Sequence, residues 1–131
     1  MVYVDTSVLV ALFLDEQHSQ AATDGYADET SELAAAAWCV PEFASVLGLK
    51  QRIGAIDEQQ AQGAQVRFEH MVATDLKLLP VEPANFYRAA ELVLDAASAL
   101  RAGDALHLAC AEAAGAKHMA TLDETLGRNA Q

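Results

Sequence analysis

Cysteine is scarce in this chain of 131 residues, which contains only Cys39 and Cys110. Both lie in apolar surroundings, and neither has the close partner that a thiolate zinc site requires. Disulfide bonds are rare in reducing compartments, where an isolated cysteine behaves as a small hydrophobic residue. We therefore predict two small buried thiols rather than a zinc site or a disulfide framework.

Long hydrophobic runs are also missing. No apolar stretch approaches the roughly 20 residues that a membrane-spanning helix needs. Residues 1–5 carry neither a basic region nor a small-residue cleavage site, so they do not resemble a signal peptide. The expectation is a soluble cytoplasmic protein that has no contact with a membrane.

Basic residues are few: 8 Lys and Arg stand against 19 Asp and Glu, which gives a formal net charge of −11. Proteins bind duplex nucleic acid largely by neutralising phosphates with Lys and Arg. The charge therefore argues against a non-specific DNA-binding protein. It does not exclude an enzyme whose acids hold metal ions, because bound divalent cations then set the sign of the local field.

The residues that are present indicate one α/β domain over residues 1–131. Hydrophobic residues make up 53% of the chain, which is enough for a core. Short apolar runs alternate with segments of helical periodicity, which is typical of a largely parallel sheet covered by helices on both faces. Strands are predicted at residues 1–4, 33–40, 76–81 and 118–121. One helix is predicted over residues 18–30, and other helices are predicted to begin near residues 5, 41, 57, 83, 103 and 123.

Three local patterns refine this outline. Asp57 and Gln60 resemble a capping box at the start of a helix. In the helix that Pro83 opens, the spacing of Phe86, Ala90, Val93 and Ala97 predicts the face turned toward the core. Trp38 falls inside the second predicted strand, where we expect it to be a core residue rather than a platform for stacking a base.

Four acids follow strands or begin helices. Asp5 and Asp123 come after the first and last strands, while Glu42 and Asp104 lie in the first turns of their helices. Ligands of parallel sheets bind outside the carboxyl ends of the strands, so the four carboxylates are expected to meet there. Crowded carboxylates repel one another, and a hard cation such as Mg²⁺ or Mn²⁺ removes that penalty. Each acid alone could equally be a helix cap or a partner of the helix dipole.

Four blocks of sequence resemble the VapC family of PIN-domain toxins. They fall in family order and run almost the length of the chain: VYVDTSVLVAL at residues 2–12, PEFASVL at 41–47, LRAGDALHLA at 100–109 and ATLDETL at 120–126. The third block is quite specific. The resemblance implies a PIN-like α/β/α sandwich with a short, mostly parallel sheet of four to five strands and about seven helices.

The resemblance also implies a function. It identifies Asp5, Glu42, Asp104 and Asp123 as the metal site of an endoribonuclease that uses Mg²⁺, with Mn²⁺ as a substitute. Water activated by the metal would attack phosphorus in line and leave a 5′-phosphate and a 3′-hydroxyl. Asp5 would be the central ligand, Glu42 and Asp104 would complete the first shell, and Asp123 would hold the attacking water or a second metal. A homodimer restrained by a cognate antitoxin is the implied assembly.

Residues near these acids have open roles. The Ser7 and Thr121 hydroxyls could bond a ligand carboxylate or merely cap the backbone. Arg101 could meet a substrate phosphate, pair with a site acid or lie in solvent. His107 lies on the same helical face as Asp104, but hard Mg²⁺ prefers oxygen ligands, so a buried, hydrogen-bonded histidine is the favoured interpretation.

Three alternatives remain at this point. An aspartyl phosphatase needs a second acid two residues after the first, where this chain has Ser7. A phospho-receiver domain needs an acceptor Asp after its third strand, and residues 78–81 offer none. A PIN fold retained as a binding module without catalysis is the non-enzymatic alternative.

Without a basic cluster, RNA contact would depend on scattered cations or on a dimer groove, which favours a selective target such as a single-stranded loop in a folded RNA.

Overall fold

Four short parallel strands form one sheet in this computed structural model, which describes residues 1–15 and 19–131. The strands are β1 (Val2–Val4), β2 (Leu33–Ala36), β3 (Leu76–Leu79) and β4 (His118–Ala120). Their order across the sheet is β3-β2-β1-β4. Tyr3 of β1 is in register with Ala34 of β2 on one side and with Met119 of β4 on the other. The prediction of a short parallel sheet is confirmed.

Helices connect and cover the strands. They are α1 (Thr6–Phe13), α2 (Ser19–Asp28), α3 (Cys39–Arg52), α4 (Glu58–Thr74), α5 (Pro83–Leu94), α6 (Ala102–Ala114) and α7 (Glu124–Asn129), with a 3₁₀ turn at Ala96–Ser98. The described residues thus contain seven α-helices, as predicted. None of the helices in residues 1–15 and 19–131 is long and apolar enough to cross a membrane.

The sheet separates two hydrophobic clusters, because alternate side chains of a strand point to opposite faces. Val4 packs on the side of α1, α3 and α4, where the rings of Phe43 and Phe68 stack with centroids 4.4 Å apart. Tyr3 packs on the opposite side, with α5, α6 and α7. The architecture is therefore an α/β/α sandwich. Cys39 and Cys110 are both free and buried, one in each cluster, as predicted.

The sheet order creates a crevice at one edge. From β1 the chain continues outward to β2 and β3, and it then crosses to β4 on the other side of β1. The segments that follow the neighbouring strands β1 and β4 therefore run from the carboxyl ends of these strands toward opposite faces of the sheet. Such a reversal leaves an open crevice outside the strand ends, which is where parallel sheets bind their ligands.

Two predicted strands are shorter than expected. β2 stops at Ala36 because the chain turns at Ala37, whose carbonyl accepts a hydrogen bond from the Val40 amide, and α3 has already begun at Cys39. β3 stops at Leu79 because Pro80 has no amide hydrogen for the sheet. Trp38 consequently lies in a turn and is 38% exposed, so its prediction as a core strand residue was wrong.

The predicted inward face of α5 was also wrong. Phe86 is 52% exposed and Val93 38%, and Ala90 and Ala97 are exposed as well, while Asn85 and Ala89 are the buried positions. The remaining apolar side chains of α5 line an open groove of about 580 Å³ that also includes Trp38 and Gly103. The prediction relied on helical spacing alone, which does not show which side of α5 faces α6.

The other predicted boundaries of helices and strands agree with the observed ones to within a few residues. The helix predicted over residues 18–30 is observed as α2, Ser19–Asp28, and His18 lies outside the described residues. The predicted capping box is present, since the Asp57 carboxylate accepts from the Gln60 amide and the Gln60 side chain accepts from the Asp57 amide. Gly115 ends α6 with a φ of 69°, a left-handed conformation that glycine adopts at little cost.

Candidate active site

Asp5 lies where β1 ends and α1 begins. Its carboxylate caps α1 by accepting from the Val8 amide, yet the residue is only 2% exposed. Oδ1 also accepts from the Ser7 hydroxyl at 2.6 Å, and Oδ2 accepts from the Thr121 hydroxyl at 2.6 Å. Burial nevertheless outweighs these hydrogen bonds and raises the pKa of Asp5. The side chain is thus held rigidly in the crevice.

Ser7 and Thr121 link Asp5 to the segment after β4. The Ser7 oxygen accepts from the Leu122 amide at 3.0 Å, and the Thr121 oxygen accepts from the Asp123 amide at 3.0 Å. Each hydroxyl therefore donates to Asp5 and accepts from the backbone of the β4–α7 connection. This geometry favours the interpretation in which both hydroxyls orient the Asp5 carboxylate.

Glu42 lies in the first turn of α3, and its side chain reaches the same edge of the sheet. Oε1 accepts from the Thr6 hydroxyl at 2.7 Å and is in hydrogen-bond contact with Nε2 of His107, while the Trp38 indole also bonds the carboxylate. Burial is the largest influence on the pKa of Glu42 and raises it, but these hydrogen bonds together hold the pKa below its usual value. Glu42 is therefore an ionised carboxylate at neutral pH.

Asp104 lies in the first turn of α6 and is surrounded by negative charge. Burial raises its pKa most, followed by the repulsion of Asp123 and Asp5, with a smaller contribution from Glu42. The carboxylate of Asp104 thus lies close enough to the other three acids for their charges to raise its pKa.

Asp123 begins α7, where its Oδ1 accepts from the Leu126 amide at 2.8 Å. The residue is partly exposed. Its backbone is bound through Thr121 to Asp5, and its charge raises the pKa of Asp104. One side chain thereby caps a helix and also contributes charge to the crevice.

The four predicted site acids therefore lie at one edge of the sheet, after β1 and β4 and at the N-termini of α3 and α6. The Thr121 hydroxyl bonds both the Asp5 carboxylate and the Asp123 amide. Thr6, which follows Asp5 in the chain, donates a hydrogen bond to Glu42. Within residues 1–15 and 19–131, however, no three His, Cys, Asp or Glu side chains are already arranged around a common point as metal ligands. The acids are gathered without forming a closed coordination cage.

The surroundings of these acids are partly open. A cleft of about 480 Å³ is lined by Thr6, Ser7 and Glu42 together with apolar residues of α1 and α3. Arg101 precedes α6 and is exposed, and its side chain makes no helix-capping hydrogen bond. Of the four acids, Glu42 is the one that lines this cleft.

A family model for the PIN domain matches residues 2–131. The chain belongs to the PIN domain family. This confirms the family predicted from the four sequence blocks, and the match covers nearly the whole chain. The PIN fold also separates the chain from the two phosphoryl-transfer alternatives, which are built on other folds.

Solved structures share this PIN fold. The VapC20 toxin of Mycobacterium tuberculosis, described as cleaving the sarcin–ricin loop, superposes with a TM-score of 0.80 at 17% identity over 98% of this chain and 95% of that one. FitAcB of Neisseria gonorrhoeae gives 0.73 at 16% identity over 99% and 93%. VapBC2 of Rickettsia felis, bound to a DNA fragment from its promoter, gives 0.68 at 14% identity over 98% and 92%. No curated protein sequence matches the chain.

Sequence reasoning missed two side chains that contact the acids of this PIN domain and a third that contacts His107. Thr6 was not singled out in the sequence, but it is buried and donates to Glu42. Trp38 was assigned to the core, yet its indole bonds the same carboxylate. Tyr3 was seen only as a strand residue, although its hydroxyl contacts His107. Only the position of Thr6 next to Asp5 gave a signal in the sequence.

Proposed function

We propose that this PIN domain is a metal-dependent endoribonuclease and the toxin component of a toxin–antitoxin pair. It hydrolyses RNA phosphodiester bonds with water activated by Mg²⁺, and Mn²⁺ can replace Mg²⁺. Asp5, Glu42, Asp104 and Asp123 are the catalytic, metal-binding residues. The observation that carries the proposal is the gathering of these four acids, from four separate stretches of chain, at the crevice of a PIN fold.

The chemistry of the side chains fits a hard divalent cation. All four candidate ligands offer carboxylate oxygens, which Mg²⁺ and Mn²⁺ prefer. The mutual repulsion that raises the pKa of Asp104 is the penalty that a cation relieves. A preformed cage of three ligands is not required, because Mg²⁺ keeps several waters and often uses only one or two protein carboxylates.

The chain's own groups supply orientation and charge. Ser7 and Thr121 hold both oxygens of Asp5, and Thr6 holds Glu42. The N-termini of α3 and α6 add partial positive charge near Glu42 and Asp104 and favour their ionised forms. A bound divalent cation would supply an activated water and neutralise phosphate charge. We expect Arg101, which is exposed and precedes α6, to meet a substrate phosphate.

The acidic composition shapes the choice of substrate and partners. A net charge of −11 disfavours general RNA binding, so we expect a folded RNA with a particular single-stranded loop to be cleaved. The structurally similar VapC20 toxin, described as cleaving the sarcin–ricin loop, acts on a target of this kind. A homodimer in the cytoplasm and a cognate antitoxin complete the proposal, and the likeness to VapBC2 supports the antitoxin partner.

The test is RNA cleavage by the purified chain with Mg²⁺ or Mn²⁺, comparing wild type with Asp5→Asn. Asparagine keeps the shape and can still cap α1, but it removes the charge that binds a cation. We expect cleavage to fall by about 10²-fold or more. A folded RNA that presents a single-stranded loop should be cut at one site, and uniform cleavage of an unstructured RNA would contradict the proposed selectivity.

Asp57→Asn is the matched control. Asp57 caps α4 in the same manner as Asp5 caps α1, but it is exposed and lies outside the acid cluster. It should therefore retain wild-type cleavage. Undiminished cleavage by Asp5→Asn would indicate a contaminant or a different site and would overturn the proposal.

One observation keeps a second function in view. Because the described residues hold no closed group of three metal ligands, the fold could act as a binding module without catalysis. A purified protein that binds an antitoxin but cleaves no RNA with Mn²⁺ would favour this alternative over the ribonuclease.

A further inference from the structure

A chain of buried hydrogen bonds lies directly beneath the proposed site. The Ala36 amide donates to the Tyr3 hydroxyl at 3.2 Å, the Tyr3 hydroxyl lies 2.6 Å from Nδ1 of His107, and Nε2 of His107 contacts Oε1 of Glu42. Tyr3 is 0% exposed and His107 is 1% exposed. This series, which we call the Tyr3–His107 relay, connects β2, β1, α6 and α3, and it ends on one of the four acids.

Counting protons fixes the direction of the relay. The Tyr3 oxygen already accepts the Ala36 amide hydrogen. If Nδ1 of His107 also donated to Tyr3, the phenol hydrogen would be left unpaired in a fully buried place, and a buried donor without a partner is costly. Tyr3 therefore donates to Nδ1, which must be unprotonated. The ring hydrogen then resides on Nε2 and is donated to Oε1 of Glu42.

The relay determines which oxygen of Glu42 is available. Oε1 receives hydrogen bonds from His107 and Thr6. Oε2 and the Trp38 indole nitrogen lie beside Gly103, where a Cβ atom would come within 3.3 Å of Oε2 and 3.7 Å of the indole nitrogen. Oε2 therefore lies beside the first turn of α6, the turn that carries Asp104.

We infer that Tyr3 and His107 are positioning residues for Glu42. Through a single imidazole tautomer they hold Oε1 in place by hydrogen bonds, and Oε2 is thereby presented to a divalent cation. Neither residue touches the cation or the substrate, since both ring nitrogens of His107 are already bonded. This inference rests on the proposed function. Side chains that hold metal ligands typically change metal affinity 10- to 100-fold when they are replaced.

The experiment measures Mn²⁺ affinity of the full chain by electron paramagnetic resonance, together with thermal stability without metal. Tyr3→Phe removes the donor to Nδ1, and His107→Leu removes the donor to Glu42; we expect each to weaken Mn²⁺ binding about 10- to 100-fold. His107→Gln keeps an N–H donor near Glu42 and should recover part of the affinity. In wild type, ¹⁵N NMR should find the His107 proton on Nε2.

Ser98→Ala is the matched control for the loss of buried hydrogen bonds. The Ser98 hydroxyl donates to the Leu92 carbonyl and accepts from the Leu100 amide, far from Glu42 in the chain. It should lower thermal stability and leave Mn²⁺ affinity unchanged. A purely structural relay would instead make Tyr3→Phe behave like Ser98→Ala.

The outcomes separate the two proposals. If the wild type binds Mn²⁺ and the folded Tyr3→Phe and His107→Leu variants bind it equally well, the inference about the relay is overturned and the proposed function is not. A His107 proton found on Nδ1 also overturns the relay. Wild type that binds no Mn²⁺ overturns the proposed function. If His107→Leu fails to fold, Tyr3→Phe and the NMR measurement decide.

Discussion

At the scale of single residues, Asp104 carries the clearest electrostatic cost. Its raised pKa means that the folded chain takes up this proton at a higher pH than the unfolded chain does. The ionised carboxylate therefore costs stability at neutral pH. The cost is complete above the folded pKa, and it disappears as the pH falls below the ordinary value for aspartate.

This cost predicts that Asp104→Asn stabilises the metal-free protein. Asparagine removes the repulsion from Asp123 and Asp5, so the free energy of unfolding should rise by about 1 kcal/mol at pH 7. Urea denaturation with a chelator measures it. Asp57→Asn, which has no such neighbours, should leave the midpoint unchanged; an equal or lower midpoint for Asp104→Asn would contradict the explanation.

The sequence predicted that the four acids lie at one edge of the sheet, but it did not predict the side chains that contact them. Asp5 and Asp123 follow strands, and this position alone predicts the edge at which they lie. The contact between His107 and Glu42 joins residues 65 positions apart and depends on where the sheet places α3 and α6, which lie on its opposite faces. No local spacing encodes such a contact, so it became visible only in three dimensions.

At the scale of secondary-structure elements, the ends of helices were predicted well and their buried faces less well. Caps depend on neighbouring residues, as in the capping box of Asp57 and Gln60. The buried face of a helix depends on its partner. Helix α5 packs against α6 through small residues such as Ala89, so its larger side chains, including Phe86, remain exposed.

The cap of α4 gives a prediction for this scale. Asp57→Ala removes the side-chain acceptor of the Gln60 amide and should lower the free energy of unfolding by about 1 kcal/mol. Asp57→Asn should cost little, because asparagine caps equally well. Chemical denaturation of both variants measures the difference. An unchanged midpoint for Asp57→Ala would show that α4 is held by packing alone.

At the scale of the whole molecule, the order of the strands creates the site. Alternating strands and helices predicted a parallel sheet, and four parallel strands are found. The sequence did not predict that β1 would lie between β2 and β4, which brings Asp5 beside the segment that carries Asp123. The assignment of residues 1–131 to one domain stays a prediction.

The negative charge of the whole chain also bears on the site and on the choice of RNA. Nineteen acids against eight basic residues oppose general binding of RNA, yet four of the acids lie at one crevice, where their repulsion favours a cation. The same excess of charge thus accounts for an expected dependence on metal and for an expected selectivity among RNA targets.

The most direct test of the central claim is an anomalous difference map from crystals grown with Mn²⁺. We predict a peak in the crevice between the carboxylates of Asp5 and Asp104, with Glu42 and Asp123 bound to the ion directly or through water. A map without a peak there, at Mn²⁺ concentrations that support RNA cleavage, or with a peak only elsewhere on the molecule, would contradict the proposal that these four acids share a cation.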